Sequence, residues 1–234
     1  MLLRDELHVW HINLDVNRDK VEQASALLDD QERSRAFKYS TPLLRDRYIV
    51  AHGVLRQMLA QYADTPPGVI QYERTKHGKP VLTDAYLGQK LSFNLTHSGN
   101  LALLAIADGR SIGIDIEKIK PYSDLESVAH RNFSALERSA LSTLDKSDLL
   151  TGFYTLWTRK EAFIKAIGDG LSYPLDSFVV PIQPHPSSTW TPVISDNVKQ
   201  AQWFVQDLSR LPDYAAAVVC DNANMKVVEH VLPS

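Results

Sequence analysis

Residues 91–117 read LSFNLTHSGNLALLAIADGRSIGIDIE. Two apolar arms, Ser92-Phe93-Asn94-Leu95 and Leu101 to Ala107, flank a polar bend at His97-Ser98-Gly99-Asn100, the pattern of an antiparallel hairpin. Asp108-Gly109-Arg110 closes it, and Gly113 to Glu117 follows as a further strand. Successive side chains of a strand point to opposite faces. Ile112, Ile114 and Ile116 therefore share a buried face, and Asp115 and Glu117 share the other, with their Cα atoms ~7 Å apart.

Outward from this unit the chain alternates helical and extended patterns. On the N-terminal side, Leu7 to Leu14 reads as a strand and Asp29 to Tyr39 as a helix. Leu44 to Tyr62 is a longer helix, with Tyr48, Ala51, Leu55, Met58 and Leu59 at steps of three and four. Thr65-Pro66-Pro67-Gly68 stops it, and a short strand near Val69 to Glu73 leads to a turn at His77-Gly78-Lys79-Pro80. On the C-terminal side, Ser134 to Leu144 and Leu149 to Ile167 are helical, and Gly168-Asp169-Gly170 ends the second. Leu175 to Val180 reads as a strand, Pro181 to Asn197 as a surface excursion, and Trp203 to Leu208 with Tyr214 to Cys220 as another hairpin. Each side thus runs helix, short strand, apolar hairpin. The expectation is an α+β protein made of two similar α/β halves, residues 1–110 and 111–234. Each half has a small, mainly antiparallel sheet and a long helix. A pseudo-twofold axis relates them, and the functional site lies in the cleft between.

The 234 residues are 44% hydrophobic and 23% charged, enough for a sizeable core and too mixed in charge for disorder. A net charge of -3 lacks the basic footprint of a bulk nucleic-acid binder, so no nucleic-acid partner is expected. Arg4, Asp5, Glu6 and His8 interrupt any apolar leader, and no stretch reaches the ~20 apolar residues that span a bilayer. The single cysteine, Cys220, follows an apolar run and reads as a buried, inert thiol. A cytoplasmic protein without a membrane partner is expected.

Two side-by-side carboxylates repel unless a cation or proton lies between them, and hard oxygen ligands suit Mg²⁺. Taken alone, Asp115 and Glu117 read more plainly as a solvent-facing strand edge. In Trp157-Thr158-Arg159-Lys160-Glu161-Ala162-Phe163-Ile164-Lys165, residues Trp157, Glu161 and Lys165 lie along one helical stripe, and a surface Glu161–Lys165 pair is the plainer reading of that segment by itself. At the hairpin bend, His97 sits among Asn94, Thr96, Ser98 and Gly99, small polar residues whose amides suit a phosphate. Lys79, fixed by Pro80, is placed to reach a phosphate or to cap a turn.

The order and spacing of Gly78-Lys79-Pro80, Phe93-Asn94-Leu95-Thr96-His97-Ser98, Gly113-Ile114-Asp115-Ile116-Glu117 and Trp157-x-x-Lys160-Glu161-Ala162-Phe163-x-Lys165, followed by Gly168 and Gly170-Leu171, resemble the 4′-phosphopantetheinyl transferases of the long, Sfp-like type. The resemblance spans about residues 30 to 180. It implies an enzyme that moves the 4′-phosphopantetheine group from coenzyme A to a serine of an apo acyl or peptidyl carrier protein, releasing adenosine 3′,5′-bisphosphate. It also implies a monomer that binds coenzyme A between its halves. By the same resemblance, Asp115, Glu117 and Glu161 match the Mg²⁺ carboxylates, with Glu161 also accepting the serine proton, directly or through a water. Lys165 steadies the leaving group or the pyrophosphate. Lys79, Pro80, Thr96 and His97 match positions at the coenzyme A phosphates, as do Arg47 and, near the 3′-phosphate, Arg33. One basic family position falls on Asp30 here, a departure that removes that contact. The carrier-docking surface is expected at Ser123 to Leu136. Competing readings are another Mg²⁺-dependent phosphotransferase, against which the missing GxxxxGK[ST] loop counts, and a non-catalytic binding module, against which the full carboxylate set and Lys165 count.

Overall fold

The hairpin forms as β4 (Leu91–Ser98) and β5 (Leu101–Asp108), in register from Leu91 opposite Asp108 to Ser98 opposite Leu101. In this computed structural model, residues 2–83, 91–170, 173–182, 189–195, 202–208 and 211–233 are described. Before the hairpin come β1 (Glu6–Asn13), α1 (Arg18–Leu27), α2 (Asp30–Ala36), α3 (Pro42–Tyr62), β2 (Tyr72–Arg74) and β3 (Pro80–Leu82). After it come β6 (Ile112–Lys118), α4 (Leu125–Asn132), α5 (Ala135–Ser142), α6 (Leu149–Ile167), β7 (Phe178–Val179), β8 (Thr191–Ser195), β9 (Trp203–Asp207), β10 (Tyr214–Cys220) and β11 (Lys226–Val231). The class is α+β, as expected.

Helix starts follow local chemistry. Asn17 caps α1, Thr41 caps α3 ahead of Pro42, and capping boxes open α2 (Asp29 with Glu32) and α5 (Ser134 with Glu137). Helix α6 ends at Gly168, whose φ of 81° is one that L side chains rarely adopt.

The first sheet runs β11-β1-β5-β4 and the second β6-β10-β9-β8-β7, with β2-β3 as a separate ribbon. Within each sheet the first strand of the segment pairs with the second arm of the hairpin that follows it: β1 with β5, and β6 with β10. Three cores fill the layers. Helices α1 and α3 cover one face of the first sheet through Ile12, Val21, Leu55, Leu59 and Phe93. Helices α4 to α6 cover the second sheet through Leu125, Phe133, Phe153, Phe163 and Val219. Between the sheets, Leu7, Val9, Leu103 and Ala105 meet Ile112, Ile114, Ile116 and Val218.

Several elements depart from the sequence reading. His97 is not at the bend: it lies within β4 opposite Ala102, and the turn is reduced to Gly99-Asn100. The strand expected at Val69 to Glu73 begins only at Tyr72, because Pro66 and Pro67 set a 3₁₀ turn over Pro67–Val69. Leu175 to Val180 opens with a 3₁₀ turn, Leu175–Ser177, and only Phe178–Val179 is strand. Within Pro181 to Asn197, Thr191–Ser195 pairs as β8, while residues 183–188 and 196–197 lie outside the described residues. Helices α1 and α4 were not anticipated. Neither was β11, which returns to pair in parallel with β1.

The two sheets are brought edge to edge at β4 and β6. Side chains replace a backbone ladder there: the Ile114 N–H donates to Asn94 Oδ1 (2.8 Å) and the Lys118 N–H to Ser98 Oγ (3.0 Å). Gly113 lets α6 lie directly on β6. A Cβ there would stand 2.1 Å from the Ala162 carbonyl oxygen and 2.4 Å from the Ala166 nitrogen. Since the obstruction is backbone, Gly113→Ala is expected to cost about 1–3 kcal/mol or more and to push α6 off the strand. A matching drop in the urea midpoint and altered near-ultraviolet circular dichroism would show it.

Candidate active site

The seam between β4 and β6, roofed by α6, collects the charged residues. Asp115 is only 3% exposed, which removes the solvent-edge reading for that residue. Its Oδ1 accepts from Thr96 Oγ1 (3.0 Å) and from the Lys165 ammonium (2.5 Å), and Lys165 also donates to Thr96 Oγ1 (3.1 Å). Half-buried Glu117 accepts from Ser98 Oγ at 2.8 Å. The stripe expected on α6 is real. Glu161 and Lys165 act on Asp115 from the same helix face, and Trp157, one turn earlier, packs on Phe153.

The electrostatics are those of a site short of positive charge. Burial raises the Asp115 carboxyl, opposed by Lys165 and the Thr96 hydroxyl. Burial likewise raises Glu117, with Asp115 adding to the effect. Glu161 is pushed up to about 7, first by burial and then by the neighbouring Asp115 charge. Asp115 Oδ2 is shut off from solvent and has no hydrogen-bond partner among the described residues. An orphaned buried oxygen among mutually repelling carboxylates fits a hard divalent cation such as Mg²⁺, which Asp115, Glu117 and Glu161 would hold. Among the described residues no such group stands as a ready-made cage, and the Lys165 ammonium supplies the nearest positive charge.

The remaining expected residues spread around this centre. His97 is exposed on the other face of β4. Desolvation by its neighbours lowers its pKa, and Lys165 and Arg47 add to the effect. Arg47 makes a two-point pair with Asp15 at 2.7 and 2.8 Å. Thr96 is committed to Asp115 rather than to an open cleft. Lys79 lies apart: its ammonium donates to the carbonyls of Ile112 (3.0 Å) and Ala166 (3.1 Å), and burial lowers its pKa to about 8. It staples the β2-β3 ribbon, where Pro80 faces Arg74, to β6 and α6. Arg33 faces a groove between α1, α2 and α3, with Arg18 and Arg45 nearby, and is not brought to the carboxylates.

Two further cavities carry charged residues on their walls. A cleft of about 600 Å³ runs between α2, α3 and β2, past Tyr48 and His52, with Arg35, Lys38 and Arg74 on its walls. These cations were missed in the sequence, where single basic residues on short elements carry no distinguishing signal. A smaller pocket of about 160 Å³ opens beside Glu117 and Lys120, lined by Tyr122, Val128, Phe153 and Trp157. No helix among the described residues is long and apolar enough to cross a membrane.

Comparison with known sequences gives a consistent result. The profile of the 4′-phosphopantetheinyl transferase superfamily matches residues 111–219, and a profile of the N-terminal part of 4′-phosphopantetheinyl transferases matches residues 15–108. The 4′-phosphopantetheinyl transferase HetI of Nostoc sp. is 40% identical over 171 residues, 73% of this chain and 72% of that protein. The 4′-phosphopantetheinyl transferase Sfp of Bacillus subtilis is 33% identical over 176 residues, 74% and 76% of the two chains. The 4′-phosphopantetheinyl transferase psf-1 of Bacillus pumilus is 32% identical over 201 residues, 86% and 82%.

The raised carboxylates set a pH dependence of stability. Between the ordinary value of 4.5 and about 7 the folded form holds a proton on Glu161 that the unfolded chain has lost. Stability therefore falls as pH rises through that window, and the raised Asp115 and Glu117 act in the same direction. Thermal unfolding without added metal is expected to show a midpoint that declines across this range. Glu161→Gln should flatten the decline, and an unchanged slope would contradict the assignment.

Proposed function

This chain belongs to the 4′-phosphopantetheinyl transferase superfamily, and from that premise we propose that it transfers 4′-phosphopantetheine from coenzyme A to a serine of an apo acyl or peptidyl carrier protein. The observation that carries the proposal is the buried Asp115–Lys165–Thr96 cluster with Glu117 and Glu161 beside it. Bound Mg²⁺ would supply charge neutralisation at the pyrophosphate.

The residues of the chain do the rest. Asp115, Glu117 and Glu161 would hold the cation. Lys165, already on Asp115, faces the same space and steadies the departing phosphate. Glu161 takes the proton from the carrier serine, directly or through a water. The serine Oγ forms a new bond to the β-phosphorus. The bond from that phosphorus to the bridging oxygen breaks, and adenosine 3′,5′-bisphosphate leaves with the electron pair. Arg47 and His97 bind phosphate oxygens, and the cleft walled by Arg35, Lys38 and Arg74 takes the nucleotide end. Lys79, Pro80 and Thr96 shape the site from behind, and Arg33 lines the separate groove between α1, α2 and α3.

The aromatic pocket beside Glu117 suits the pantetheine arm. The carrier docks over Ser123 to Leu136, where Leu136 is exposed with His130 and Arg131 close in sequence. The same reading treats residues 1–110 and 111–234 as halves related by duplication about an axis near the seam, a monomer working in the cytoplasm.

Incubation with coenzyme A, Mg²⁺ and an apo carrier should add the mass of one phosphopantetheine to the carrier, and no mass gain would sink the proposal. Asp115→Ala is expected to abolish transfer in a protein that stays folded by circular dichroism. Arg47→Ala and His97→Ala should raise the KM for coenzyme A by about tenfold each, the loss of a charge-assisted hydrogen bond, with smaller effects on kcat.

A further inference from the structure

Helix α6 carries two buried cations that the transfer chemistry does not use. Lys160, one position before Glu161, is completely buried. Its ammonium lies 2.8 Å from Glu137 Oε2, donates to the carbonyls of Leu175 (2.6 Å) and Phe178 (2.8 Å), and sits 4.1 Å over the Phe178 ring. Glu137 is equally committed. It accepts from the Ser134 N–H at 2.7 Å and from the Val180 N–H at 2.9 Å, so one carboxylate ties α5, α6 and the segment leaving β7 together. On the other side of the same turn, Arg159 makes a two-point pair with Asp207 of β9 at 2.9 and 2.5 Å and donates to the Pro181 carbonyl.

A buried ion pair is a poor source of stability, since well-packed apolar residues of similar volume serve as well or better. What a buried pair with this many fixed partners does supply is a unique geometry. Neighbouring positions on a helix point ~100° apart, so rotation of α6 that turned Glu161 away from Asp115 would pull Lys160 off every one of its partners.

We propose that the buried Lys160–Glu137 pair is a positioning device for Glu161. It fixes the rotation and slide of α6 on β6 so that the Glu161 carboxylate meets Asp115 and Glu117. Glu137 lies one residue beyond the Ser123 to Leu136 surface. The inference rests on the transferase reading of that carboxylate.

The test compares the full chain with Lys160→Met, Glu137→Gln and Glu161→Gln. Thermal unfolding is followed with and without Mg²⁺, and transfer kinetics are measured well below the melting range. Lys160→Met is expected to lower kcat by roughly 10- to 100-fold, as sub-ångström to ångström misplacement does. It should leave the KM for coenzyme A within about twofold and lose most of the Mg²⁺-induced rise in Tm. Glu137→Gln should give the same pattern, more weakly. A folded Lys160→Met or Glu137→Gln protein with wild-type kcat and wild-type Mg²⁺ response would overturn the positioning role. If Lys160→Met does not fold, Glu137→Gln decides alone, because glutamine keeps one acceptor and Lys160 keeps its two carbonyls. A Glu161→Gln protein with wild-type kcat and Mg²⁺ response would overturn the transferase reading of Glu161 itself, a result distinct from failure of the pair alone.

Discussion

Asp115 stands between a sheet edge and a helix, almost wholly removed from water, with Glu117 two residues along the strand and Glu161 on the helix above. Carboxylates at such a depth resist ionisation, and each raises the next. Most of the charged architecture around them answers this one difficulty. Lys165 and Thr96 satisfy one oxygen of Asp115, Ser98 satisfies Glu117, and the second oxygen of Asp115 is left over. A folded protein tolerates that arrangement where a ligand completes it.

The seam that holds the carboxylates also explains a peculiarity of the β4 sequence. Asn94, Thr96 and Ser98 occupy alternate positions, so they share a face and point across to β6. Two of them take over bonds that a neighbouring strand's backbone would make, and the middle one reaches the Asp115 carboxylate. Joining two sheets through side chains rather than a ladder leaves room between strands for Thr96, Asp115 and Lys165 to meet. It also covers edges that would otherwise be open to pairing with another chain.

Much of this was legible in the sequence, for identifiable reasons. Alternation exposed β4, β5 and β6, and helical spacing exposed α3 and α6, because their apolar faces are continuous. The opposition of Asp115 to the isoleucines followed from the strand period alone. Helix α1 escaped notice because only Val21 and Ala24 of its residues are buried. Strand β11 escaped because its partner lies at the other end of the chain and its residues are only partly covered. His97 was placed at the bend rather than in the strand because Ser98, Gly99 and Asn100 all favour turns, and the structure uses only the last two. The depth of Asp115 was hidden because it comes from α6, which Gly113 admits. A glycine beside a strand's carboxylate does not announce that a helix will lie on it. The partners of Lys79 and Lys160 are backbone carbonyls and buried side chains that no local pattern reveals.

The parallel pairing of β11 with β1, which sets Lys226 beside Glu6, has a consequence for how the molecule comes to exist. During synthesis the first sheet must wait, one edge bare, until nearly the whole of the second sheet has been made. Contacts so distant in sequence slow folding, and they tie the completion of one sheet to the presence of the other. A chain that carries every carboxylate of the site but lacks β11 still has an unfinished first sheet, so the two sheets are completed together.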